Sequence, residues 1–228
     1  RINAVLPVRE FPEDRFVFMA TAQGTVKKTP LADFSRPRAN GIIALDLRED
    51  DYLVNVAVTD GARDVMLFSN TGKAIRFKES DVRPMGRTAC GVRGTRLAAG
   101  QRVIALIIVE EGSVLTATEN GYGKRTLVAD YPVHGRGGQG VISIQSSERN
   151  GEVVGAVLVQ DEDEIMLISN AGTLVRTRVQ EISVLGRNTQ GVRLISLHNG
   201  EKLVGVERVV DVQDDADDLQ AEVDGQAE

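Results

Sequence analysis

The sequence has no tryptophan, one cysteine, two histidines, and only six phenylalanines and three tyrosines in 228 residues. A lone cysteine, Cys90, cannot close an internal disulfide, which excludes a disulfide-stapled secreted scaffold. His134 and His198 lie far apart and lack metal-ligand spacing, and Cys90 stands where other copies of its segment hold Asn40, Gln139 and Gln190. Neither zinc nor a thiol nucleophile is indicated. Scarce aromatics argue against base-stacking platforms for single strands. There is no run of eighteen apolar residues and no signal-peptide pattern, so the expected setting is the cytoplasm, with no membrane partner. No segment carries convincing helical periodicity. The first residue is Arg1 rather than Met, which points to a piece of a longer polypeptide.

The formal net charge of −6 speaks against nucleic acid only until it is counted by region. Residues 211–228, DVQDDADDLQAEVDGQAE, hold eight of the 33 acidic residues and none of the 27 basic ones, leaving 25 acidic against 27 basic in residues 1–210. The body is therefore mildly basic. The tail is too polar to bury a core and is expected to be disordered.

One stretch, HGRGGQG at residues 134–140, fits G-x-G-x-x-G through Gly135, Gly137 and Gly140. A dinucleotide cradle needs a helix immediately after such a turn. Here VISIQSS follows, which reads as a strand. Internal repetition supplies another origin for the glycines. The segments AQGTVKKT, NTGKAIRF, ENGYGKRT and NAGTLVRT align on Gly24, Gly72, Gly121 and Gly172, spaced 48, 49 and 51 apart. A second glycine follows in each copy, at Gly41, Gly91, Gly140 and Gly191, and opens GIIALDL, GVRGTRL, GVISIQS and GVRLISL. HGRGGQG is then the third copy of a repeated loop.

Each unit of about fifty residues carries four strand signals, and in three of them an Asn-Gly or Asn-x-Gly turn (Asn70-Thr71-Gly72, Asn120-Gly121, Asn170-Ala171-Gly172) lies between the second and third, as tight hairpins require. The expected fold is all-β, a propeller-like array of about four four-stranded antiparallel blades. The strand type at residues 2–8 recurs at 52–59, 102–109, 153–159 and 202–210, five copies against four of the rest. Blades are therefore expected to share strands with their neighbours, hiding edges that would otherwise pair intermolecularly.

Counted from the turn glycine, the fifth residue is Lys28, Arg76, Arg125 and Arg176, basic in every copy. Lys27, Lys73, Lys124 and Arg178 reinforce the hairpins, and the loops before the second glycine add Arg36, Arg38, Arg83, Arg87, Arg136 and Arg187. These residues are expected to form a basic rim. Spaced cations neutralise phosphates and release counterions without reading sequence, so the expected ligand is duplex DNA bent around that rim.

The repeats, above all FMATAQGTVKKT, VMLFSNTGKAIRFKESDVRPMGRTACGVRG, LTATENGYGKRT and ISNAGTLVRTRVQEISVLGRNTQGV, closely resemble the C-terminal domain of the bacterial DNA gyrase A protein over residues 1 to about 210. The resemblance implies a β-pinwheel whose perimeter wraps DNA and supports ATP-dependent negative supercoiling. The partners it implies are the gyrase B protein and the N-terminal part of the gyrase A protein. It places ATP, magnesium and the DNA-cleaving tyrosine elsewhere in the holoenzyme, so this chain is expected to need no cofactor, and Tyr52, Tyr122 and Tyr131 have no cleavage role. It also implies a bacterial, nucleoid-associated location. Two features depart from the family. Six blades are usual, whereas four units occur here, which implies leading blades outside this chain. HGRGGQG keeps Arg136, Gly137, Gly138 and Gly140 of the family's signature box but has His134, Gly135 and Gln139 at its glutamine and basic slots.

Two other readings compete. One is the equivalent domain of topoisomerase IV; the other is a protein-interaction scaffold working through blade faces. Catalysis by this chain is not expected, since it needs clustered, mutually oriented groups. The acidic run Asp161, Glu162, Asp163 and Glu164 reads as an exposed hairpin connection rather than a cation site.

Overall fold

The computed structural model describes residues 2–209, so the acidic tail expected at 211–228 lies outside the described residues. Fifteen strands form four antiparallel sheets. The first blade contains β1 (Phe16–Thr21), β2 (Thr25–Pro30), β3 (Leu53–Thr59) and β6 (Val92–Arg93), in the order β3-β1-β2-β6. The second contains β4 (Asp64–Ser69), β5 (Lys73–Lys78), β7 (Val103–Ile108) and β10 (Val141–Ile142), in the order β7-β4-β5-β10. The third contains β8 (Ser113–Thr118), β9 (Tyr122–Leu127), β11 (Val153–Val159) and β14 (Val192–Arg193), in the order β11-β8-β9-β14. The fourth contains β12 (Glu164–Ser169), β13 (Leu174–Arg178) and β15 (Leu203–Val209), in the order β15-β12-β13. Between units run short 3-10 turns at Leu31–Phe34, Glu79–Asp81, Val128–Asp130 and Val179–Glu181.

Strand sharing is as expected. Each hairpin takes its inner strand from the start of the next unit and its outer strand from that unit's later segment, so β6, β10 and β14 pair back onto β2, β5 and β9. Strands β3, β7, β11 and β15 pack on one another and form the inner edge. The opposite edge is the perimeter.

The blades stack face to face, and period-two alternation decides what lies between them. Phe18, Ala20 and Val26 of the first blade meet Val65, Leu67, Ile75 and Phe77 of the second. The other face of that second blade, with Met66, Phe68 and Ala74, meets Val114, Val128 and Tyr131. Leu115 and Ala117 meet Ile165, Leu167 and Val179 between the third and fourth blades. Burying one such side chain contributes roughly 1.5–3 kcal/mol.

Three expected strands differ in the structure. Residues 2–8 and the segment 41–47 form no strand, and the fourth blade has three strands rather than four. All three have one cause, the offset of the swap. Inner and outer strands serve the hairpin of the preceding unit, so among the described residues 2–8 and 41–47 have no preceding hairpin and β13 has no following outer segment. Val8, Phe11, Ala44 and Leu45 pack instead over the outer face of the first blade, against Val17, Met19 and Leu31.

HGRGGQG runs between the Val128–Asp130 turn and β10, and no helix follows it. Gly140 has φ +72°, and a Cβ there would stand 2.2 Å from the Ala74 carbonyl oxygen. Glycine is needed at this point because the crossing chain lies against the backbone of the neighbouring blade.

Candidate nucleic-acid interface

Each crossing segment climbs the outer edge of a hairpin strand. Pro84, Val133 and Val184 bridge to Lys28, Arg76 and Arg125, and the amides of Met85, His134 and Leu185 donate to the carbonyls of those three residues at 2.8 Å. The segment then turns at its glycine into β6, β10 or β14.

The fifth-position cations do not stand on this edge, which corrects the expected placement. They lie on the blade face that meets the next unit. Lys28 is 4 % exposed; its Nζ donates to the Glu79 carbonyl at 3.0 Å and sits 5.0 Å from the centre of the Phe16 ring. The Arg76 guanidinium pairs with Asp64 at 2.8 Å and donates to the carbonyls of Val128 and Tyr131. Arg125, 6 % exposed, donates to the Ile182 carbonyl at 2.8 Å and pairs with Asp161. Each therefore ties its blade to the carbonyls around the next unit's 3-10 turn. Arg176, with no following unit among the described residues, pairs with Glu164 in its own blade and remains exposed. Two members of the acidic run thus serve as partners of repeat arginines.

Lys27 and Lys124 are also buried, both 0 % exposed. The Lys27 ammonium donates to the carbonyls of Ala44 and Arg87. Lys124 donates to the carbonyls of Gly186 at 2.5 Å and Arg187 at 2.6 Å and to Thr189 Oγ1 at 2.9 Å. The physical reason for the correction is that both faces of a hairpin strand are covered, one by each neighbouring blade or by the crossing loop. Only edges meet solvent. Burial lowers the basicity of Lys27 and Lys28, and burial followed by the nearby Arg187 charge lowers the Lys124 pKa to about 8. Because this folded-state value lies below the unfolded one of about 10.4, the contribution of Lys124 to stability is flat below pH 8 and rises as pH climbs from there to about 10.4. We expect its 13Cε NMR shift to titrate about two units below an exposed lysine, and a titration near 10.4 would contradict this.

The other expected cations reach the surface, those of the crossing loops on the perimeter and Arg178 on the exposed face of β13. Arg36, Arg38, Arg83, Arg136 and Arg178 are exposed, and Lys73, Arg87 and Arg187 are half-buried. Three of them share one geometry. Arg87 donates to the Ile43 carbonyl, Arg136 to those of Arg93 and Asp81, and Arg187 to those of Ile142 and Asp130. Residues 43, 93 and 142 occupy one repeat position, so these arginines lace successive crossing segments together along the rim. The bonds hold each guanidinium at the surface in a set orientation.

The sequence reading missed Arg93 and Arg193, which the outer strands carry outward, and Arg48, Arg96 and Arg149, all exposed. Arg149 and Arg193 flank the Tyr122 ring at 4.5 and 5.6 Å, and Arg193 donates to the phenol oxygen at 3.0 Å. The hydrogen bond from Arg193, then that from Arg149, pulls the phenol pKa down. A signal was present: in GVR after Gly91 and Gly191, alternation turns valine inward and arginine outward. Among the described residues no helix is long and apolar enough to cross a membrane, and no three His, Cys, Asp or Glu side chains are grouped to hold a metal.

Comparison with known proteins agrees with this architecture. The family described as DNA gyrase C-terminal domain, beta-propeller matches residues 15–60, 63–110, 112–160 and 163–209, one match per blade. The DNA gyrase A protein of Salmonella typhimurium is 60 % identical over 216 residues, 94 % of this chain and 25 % of the relative. That of Pseudomonas aeruginosa is 61 % identical over 199 residues, 87 % and 22 % respectively. The chain thus spans about a quarter of the length of these relatives. A solved DNA gyrase A C-terminal domain superposes with TM-score 0.82 at 27 % identity, covering 91 % of this chain and 70 % of that one. The C-terminal domain of DNA topoisomerase IV superposes with TM-score 0.88 at 25 % identity, covering 98 % and 70 %. With all four blades matched by one family and gyrase A relatives near 60 % identity, this chain belongs to the DNA gyrase C-terminal domain, beta-propeller family.

Proposed function

We propose that the chain binds duplex DNA along the outer edges of its blades without regard to sequence and bends it around the array, as part of a gyrase A protein. The observation that carries this reading is the recurrence of Arg87, Arg136 and Arg187 at one position of successive crossing segments, half-buried to exposed and on one edge, with the exposed Arg93 and Arg193 of the outer strands beside them. Guanidinium groups grip phosphates through paired N–H donors. Several such contacts are needed to offset the elastic cost of bending a duplex whose persistence length is roughly 150 bp. The site residues of this reading are Arg36, Arg38, Lys73, Arg83, Arg87, Arg136 and Arg187, joined by Arg93 and Arg193 on the edges and by Arg176 and Arg178 on the exposed face of β13. The buried Lys27, Lys28, Lys124 and Arg125, and the largely buried Arg76, serve by holding the blades in register.

In the holoenzyme this wrapping would present DNA to the N-terminal part of the gyrase A protein and to the ATP-hydrolysing gyrase B protein, in the bacterial cytoplasm at the nucleoid. Topoisomerase IV is the second reading, favoured by the higher TM-score of its domain. Identity decides against it, since both solved domains are equally remote at 25 and 27 % while gyrase A relatives reach 60 %.

Binding to random-sequence duplex is expected to weaken steeply with salt. If about eight rim cations engage phosphates, log affinity against log salt has a slope of about −7. A flat dependence would favour a protein-interaction scaffold. Chiral wrapping is tested by incubating relaxed plasmid with the chain, then nicking and religating it with an independent enzyme. A shift in linking number is expected, and an unchanged distribution would reject wrapping by this chain.

A further inference from the structure

Three arginines without a side-chain partner among the described residues stand together at one place on the perimeter. Arg48, Arg93 and Arg96 line an open pocket of about 550 Å³ at the hairpin tip of the first blade, beside Gln23 and Thr25. All three are exposed, and among the described residues their side chains make no hydrogen bond or ion pair. The nearest turn carboxylate, Asp51, is already engaged, accepting from the amides of Gln23 at 2.9 Å and Tyr52 at 2.8 Å. Glu49 and Asp50 are exposed in the same turn.

The backbone beneath the pocket is stiff. Gly94 and Thr95 donate to the Gly24 carbonyl at 2.8 and 3.2 Å, Arg96 donates to the Gly138 carbonyl at 2.8 Å, and Thr95 Oγ1 reaches that same carbonyl at 3.1 Å. Gly94 is pressed so closely that a Cβ would stand 2.7 Å from Val26 Cγ1 and 2.8 Å from Leu67 Cδ1. Arg93 and Arg96 therefore spring from fixed points on either side of it. The repeat does not require this cluster. The same places hold Ile142 and Gln145 in the second blade, and Arg193 and Ser196 in the third, where Arg193 is occupied by the Tyr122 hydroxyl.

Three guanidiniums gathered at one pocket, none of them paired with the Glu49 and Asp50 carboxylates of the neighbouring turn, repel one another, and a multidentate oxyanion relieves that repulsion while matching their planar donor forks. We propose that Arg48, Arg93 and Arg96 form a phosphate-binding pocket at the tip of the first blade, filled by a backbone phosphate of duplex DNA or by a free polyphosphate. The DNA source rests on the function proposed above. The polyphosphate source does not.

The test compares the full chain with its R93Q/R96Q variant, and with R176Q/R178Q as a control that removes two proposed DNA-contacting arginines from outside the pocket, so that in the DNA arm the loss in R93Q/R96Q must exceed that of the control. Because Arg93 and Arg96 side chains hold nothing, the melting midpoint is expected to be unchanged. With random-sequence duplex, R93Q/R96Q is expected to lose on the order of tenfold to a hundredfold in affinity and to flatten the salt slope by about 2. With inorganic pyrophosphate, the arginine Nε NMR signals of the parent chain and the control are expected to shift saturably, and R93Q/R96Q is expected to lose that response. Loss of DNA affinity alone assigns the phosphate to DNA, and loss of the pyrophosphate response alone assigns it to a free polyphosphate. Parent-like behaviour in both arms overturns the pocket. If the parent chain binds no DNA, the proposed function fails, and the pyrophosphate arm still decides this inference.

Discussion

Gly140→Ala is expected to destabilise the fold by about 3–5 kcal/mol, combining a strained positive φ with a clash that only backbone movement can relieve. The new Cβ would sit 2.2 Å from the Ala74 carbonyl oxygen at a residue whose φ is +72°. Gly135→Ala and Gly138→Ala, in the same HGRGGQG loop, are expected to fall within about 0.5 kcal/mol of the parent, because neither has a positive φ or a crowded Cβ position. Gly41→Ala separates the two causes. It has φ +79° and nothing within 4 Å, so only the conformational cost remains, about 1 kcal/mol. Urea denaturation of the four variants measures the series. Equal losses at Gly135 and Gly140 would contradict a packing role for these glycines and reopen a ligand-cradling one.

Lys124→Met is expected to cost about 1–3 kcal/mol, since it keeps the stem's volume but removes the ammonium's bonds to two carbonyls and a hydroxyl, leaving the Gly186 and Arg187 carbonyls only the bonds they accept from Thr189. The duplex-binding salt slope is expected to stay that of the parent. Arg178→Gln should do the reverse, leaving stability within about 0.5 kcal/mol and flattening the slope by about 1, because this side chain is 65 % exposed. Denaturation and salt titration of both variants test the division between cations that hold the blades and cations that face a ligand. A salt slope lowered by Lys124→Met at unchanged stability would return Lys124 to the rim.

Repetition made much of the fold legible. The spacing of Gly24, Gly72, Gly121 and Gly172 marks the hairpin turns, and the surplus inner-strand copy announces strand sharing. The strands expected at 2–8 and 41–47 were illegible as exceptions because their sequences are like those of the paired copies. What they lack among the described residues is a hairpin to pair with, which no local pattern encodes.

The misplaced cations are more instructive. Lys28 lies two residues from Val26, and a period of two places both on one face, so the inward apolar position already implied an inward cation. Recurrence reads naturally as the mark of a ligand-facing surface. It equally marks a joint made once per blade, and Lys28, Arg76 and Arg125 each satisfy carbonyls around the next unit's 3-10 turn. Arg93 and Arg193 escape notice for the opposite reason, being present in two copies and absent from the others.

Strand, turn and period follow from the chain alone, because alternation, Asn-Gly chemistry and positive-φ glycines act over a few residues. Which cation meets solvent and which meets a carbonyl depends on how blades stack and where a segment from fifty residues downstream crosses. That arrangement covers both faces of the first three hairpins and leaves their edges free, so the same residue type on adjacent strands becomes a buried tie in one place and an open contact in another.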